Sequence, residues 1–94
     1  MGMMVNFTSL VTIHRMLSDY DFKIQIVQNR MLATLNAVAT GTIPYEEGFA
    51  IDVTLQQQKL KFESKREALK EMLETIKKAM PDNVKDSFKI NIGA

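Results

Sequence analysis

The sequence predicts an all-α protein, an antiparallel two-helix hairpin of coiled-coil character with a short C-terminal helical turn or tail. Three observations predict it. From Leu10 onward, apolar residues recur in alternating steps of three and four, which places them on one stripe of a helix. Gly41 and Pro44 stand close together near the middle of the chain, where one helix can stop and another begin. After Pro44 the three-four spacing returns, now with charges of both signs between the apolar positions. On this reading residues 1–94 form one domain, with helix one over about 7–40, a turn at 41–44, helix two over about 45–80 and a tail at 81–94.

Helix one is carried by Leu10, Ile13, Leu17, Tyr20, Ile24, Val27, Met31, Thr34 and Val38, the a and d positions of about four heptads. Asn6 or Thr8 can cap its start, which leaves Met1, Met3 and Met4 outside it. Gly41 suits the left-handed position just past a helix end, because it has no Cβ to clash there. Thr42 can cap the second helix, Pro44 fits its first turn, and Glu46 and Glu47 meet the positive end of its dipole. In helix two the seam is assigned to Ile51, Leu55, Phe62, Leu69, Met72, Ile76 and Ala79, lapsing at Gln58 and Lys65. Gly48 and the β-branched Ile51, Val53 and Thr54 weaken its first turns, allowing a regular start as late as Asp52. Lys77 and Lys78 suit its negative end, and Pro81 closes it. Beyond that, Val84 and Phe88 are spaced for a helical turn, and Lys89–Ala94 alternates like a strand too short to stand alone.

Composition narrows the function classes. At 46% hydrophobic and 24% charged residues the chain is globular rather than disordered, and a net charge of +1 provides no global field for nucleic acid or an anionic membrane. Both halves are balanced: Arg15, Lys23 and Arg30 face Asp19 and Asp21 in residues 1–42, and nine basic groups face nine acidic ones in residues 43–94. There is no cysteine, hence no disulfide, thiolate nucleophile or Cys-based zinc site. Apolar residues nowhere run for the ~18 positions of a membrane span. Polar residues from Asn6 to Arg15 break up any secretory h-region, which favours the cytoplasm and leaves export without a cleaved signal compatible.

The residues offer little catalytic chemistry. His14, the only histidine, lies at an e position with Asp21 two turns away, and without a second His or a Cys it makes a poor ligand set. Glu46 and Glu47 are adjacent at a helix start and serve the dipole rather than a paired-carboxylate site. Lys59, Lys61, Lys65, Arg66 and Lys70 around Phe62 imitate a nucleic-acid surface, but Glu63, Glu67 and Glu71 cancel the field. These features predict a non-enzymatic protein with no cofactor, no metal and no nucleic-acid partner.

What remains is apolar surface. Helix one is apolar beyond its a/d seam, with Val11 and Leu32 at b, Ile26 at c, Phe22 at f, Met16 at g, and Leu35 besides. It therefore reads as the inner helix, and helix two, with its interleaved charges, as the outer one. The uncharged run of residues 31–43, MLATLNAVATGTI, then becomes the main contact region near the hairpin tip. Met16, Phe22, Ile26, Met31, Leu32, Leu35 and Val38 are the expected partner or oligomer interface, with Gly41 and Pro44 fixing the turn. A hairpin of this length is similar in architecture to small secretion-apparatus and secreted bacterial proteins, although it has neither a tryptophan-glycine turn nor a proline-rich needle-type turn. The expected function is structural, acting through self-association in a secretion apparatus or another bacterial or phage assembly. The alternative is an adaptor or chaperone module that takes up a partner's amphipathic helix.

Overall fold

Helix α1 spans Met3–Ala39 and helix α2 spans Tyr45–Lys78, and they pack antiparallel as a hairpin. The computed structural model describes residues 3–79, with side chains from residue 8, and these form a rod of 58 × 21 × 15 Å. α1 begins at Met3, so Asn6 and Thr8 lie inside the helix rather than at its start, and Met3 and Met4 belong to it. The predicted stop at Pro81, the turn around Val84 and Phe88 and the strand-like end lie outside the described residues.

The reversal follows from Gly41. Its φ of +75° is the only positive one among the described residues, in a region that costs an L side chain about 1–2 kcal/mol. With Gly41 so placed, its N–H donates to the Val38 carbonyl at 3.1 Å and the Thr42 N–H donates to Ala37 at 2.8 Å. This crossed pair of bonds satisfies carbonyls that the end of α1 would otherwise leave open. Thr42 does not cap α2. Pro44 takes the cap position itself, with φ −64° and ψ 152°, and its carbonyl accepts the first helical bond from Gly48 at 3.0 Å. The helix starts at Tyr45 rather than at Asp52 because Glu46 and Glu47 favour its first turn and because Gly48 is needed where it stands.

Gly48 is buried against α1, and a Cβ there would collide with a methyl group of Val38 and sit 3.5 Å from Ile43. The glycine that lowers helix propensity therefore lets the two backbones approach at the tip. Toward the open end, Leu10 and Ile13 pack with Leu69 and Leu73, flanked by Val11, Leu17, Tyr20 and Ile76. Ile24, Val27 and Leu55 are the other buried apolar residues.

The predicted seam of α1 holds at every position, since each of its nine residues is buried or half-buried. In α2 one of the two rows was misplaced. Leu55, Phe62, Leu69 and Ile76 face α1, but the alternating row is Asp52, Lys59, Arg66 and Leu73, not Ile51, Gln58, Lys65, Met72 and Ala79. Leu73 is 7% exposed and Met72 52% exposed. The true row carries three charged residues, which a search for apolar spacing passes over. All three are half-buried, and the long stems of Lys59 and Arg66 can cover apolar surface there. Arg66 places Nε 2.9 Å from Asp21 Oδ1 on α1.

Candidate interaction surface

A hairpin has two flanks along its seam, and here they differ. On one flank, in the half nearest the turn, α1 presents Leu32 and Leu35 while α2 presents Tyr45 and Phe49. These four are 61%, 63%, 72% and 60% exposed. With Met31 and Val38 below them they line a groove of about 680 Å³ running between the helices. Gln28, Thr34, Asp52 and Lys59 supply polar groups, with one carboxylate against one ammonium. The rings of Tyr45 and Phe49, one helical turn apart, stack with centroids 6.4 Å apart.

Four of the predicted interface residues, Met31, Leu32, Leu35 and Val38, thus come together in one groove, directly above Gly41 and Pro44. The other three do not join them. Ile26 lines a hollow on the opposite flank, Met16 lies half-way down α1 toward its start, and Phe22 stands exposed on α1 away from the groove. Tyr45 and Phe49 were missed. Their i, i+4 spacing at the start of α2 was the available signal, masked because they lie off the row taken for the seam. The division into inner and outer helices also fails: α2 exposes Tyr45, Phe49, Ile51, Val53, Leu60 and Met72, while α1 exposes Met16, Phe22, Leu32 and Leu35. A pair of helices buries one stripe of each and has no inner member. The charges of α2 are concentrated from Lys59 onward.

The opposite flank carries a hollow of about 350 Å³ floored by Ile26, Val27 and Phe62 and edged by Lys23, Arg30 and Lys61. Lys23 Nζ lies 5.2 Å from the Tyr20 ring centroid and 5.8 Å from that of Phe62, and the two rings sit tilted 6.1 Å apart. A cation held over aromatic faces is stabilised there without a carboxylate.

His14 is half-buried at the edge of the seam toward the open end. Burial holds its pKa below the ordinary 6.5, and the charge of Lys77 lowers it further. Asp21, the carboxylate two turns along, is engaged by Arg66. Among the described residues no group of three or more His, Cys, Asp or Glu side chains is placed to hold a metal ion, and no helix is long and apolar enough to cross a membrane. Compared with protein-family models, curated proteins and solved structures, the chain matches none.

Proposed function

We propose that this protein is a non-enzymatic assembly module that associates with itself through the groove near its turn. The observation that carries this reading is the grouping of Leu32, Leu35, Tyr45 and Phe49, all at least 60% exposed, around one groove between two helices. Grouped apolar exposure of this kind marks an interaction surface, whereas isolated exposed apolar residues are ordinary. A second hairpin laid along the groove completes a four-helix arrangement, the simplest way for paired helices to bury a second stripe.

The charge of the groove favours a second copy as the occupant: it carries one carboxylate and one ammonium, so two identical copies meet without net repulsion.

Sedimentation velocity over a range of concentrations tests the reading. A concentration-dependent dimer or larger species is expected, with binding of an apolar dye falling as it forms. A monomer at all concentrations that binds the dye strongly would favour the adaptor alternative, in which the groove receives the amphipathic helix of a different protein.

A further inference from the structure

We propose that the hollow on the opposite flank is a second contact between copies, one that receives the acidic outer face of α2 from a neighbouring molecule. The hollow is edged by Lys23, Arg30 and Lys61 with no carboxylate in its lining, and none of these cations is ion-paired among the described residues. Lys23 is already stabilised over the Tyr20 and Phe62 rings, which leaves Arg30 and Lys61 without a partner among the described residues, and the three together give the hollow a local positive excess that favours an anionic occupant.

The chain itself carries a fitting surface. Glu67 and Glu74 stand exposed one heptad apart on the outer side of α2, with Glu71 between them. Lys70 and Lys78 lie beside that row, so its excess of negative charge is modest. Lys23 and Arg30 are likewise one heptad apart on α1, and both pairs therefore repeat at about 10.5 Å. A helix bearing carboxylates at that repeat can set one against each cation while Lys61 meets the residue between. A nucleic acid fits less well, because the aromatic rings at the hollow are covered by Lys23 and by their own packing and provide no stacking platform.

The basic hollow and the acidic row are different surfaces of one molecule, so the contact is head-to-tail. Such a contact leaves a free surface at each end and propagates unless it closes into a ring. Combined with the groove, it makes the association open-ended rather than a closed dimer. In that combination the inference rests on the self-association proposed above.

Charge reversal tests it with residues that are all exposed, so folding is preserved and is checked by circular dichroism. The variant Arg30→Glu/Lys61→Glu and the variant Glu67→Lys/Glu74→Lys should each lose the larger, salt-sensitive species in light scattering, with affinity for that step falling about ten-fold or more as attraction becomes repulsion. Mixed in equal amounts, the two variants should recover it, because each supplies the surface the other has reversed. If neither variant changes the assembly, or if the mixture restores nothing, the hollow is not a contact between copies. Leu35→Asp/Phe49→Asp separates this from the groove. Loss of dimer there with no response to charge reversal leaves the groove and removes the hollow, and the reverse pattern does the opposite. Salt-sensitive retention of a single-stranded oligonucleotide, abolished by Arg30→Glu/Lys61→Glu, with no charge-sensitive self-association would overturn the proposal in favour of nucleic acid.

Discussion

Two glycines set the geometry of the turn for different reasons, and substitution separates them. Gly41 is needed for its backbone angle, with open space where a Cβ would go, so Gly41→Ala should cost about 1 kcal/mol through the unfavourable φ alone. Gly48 has ordinary helical geometry and no room. Gly48→Ala gains up to about 1 kcal/mol of helix propensity but meets the Val38 side chain, and overpacking of about 1–3 kcal/mol outweighs the gain. Thermal unfolding should show both variants destabilised, with Val38→Ala rescuing Gly48→Ala and leaving Gly41→Ala unchanged. The sequence marks Gly41 plainly, because a glycine between two helical patterns has a known use. It does not mark Gly48, because a close approach depends on what lies across the seam.

His14 gives a pH-dependent expectation at the same scale. Its folded pKa lies below the unfolded value, so between the two the unfolded chain binds more protons. Stability is therefore full above about pH 6.5 and declines as the pH falls through the folded pKa. Melting temperature should drop as the pH falls below about 6.5, above the range in which most carboxylates titrate, and His14→Gln should flatten that drop.

At the level of the helices, the seam of α1 was legible in full, though not its start, because every seam position is apolar or, at Thr34, a hydroxyl that bonds the Arg30 carbonyl at 2.9 Å. α2 was legible in half. Its hidden row uses Asp52, Lys59 and Arg66 as seam residues, whereas Ile51 and Met72, the residues that looked like seam, face outward. Charged residues at seam positions cost stability and fix register. Lys59→Leu should raise the melting temperature by adding an apolar contact at a half-buried site. Arg66→Ala should cost less than about 1 kcal/mol through its ion pair, because Asp21 is 59% exposed and solvent screens the interaction.

The described residues form a long rod with a narrow core, in which seven buried apolar side chains are spread over two helices and Leu10 is the one fully buried among them. Such a core stabilises weakly on its own, and association that covers the groove adds to it by mass action. The melting temperature should accordingly rise with protein concentration and become independent of it in Leu35→Asp/Phe49→Asp. Half of the contact surface was visible in the sequence, since Met31, Leu32, Leu35 and Val38 share an uncharged run. The other half, Tyr45 and Phe49, joins it only because the turn brings the start of α2 beside the end of α1.

The most direct measurement of the central claim is the molar mass in solution, by light scattering, of the native protein and of two single variants, Leu35→Asp and Ser64→Asp. Both positions are exposed, so both variants should fold, but only Leu35 lines the groove. The native protein and Ser64→Asp are expected to show the same oligomer, and Leu35→Asp a monomer. Equal masses for all three would contradict assembly through the groove.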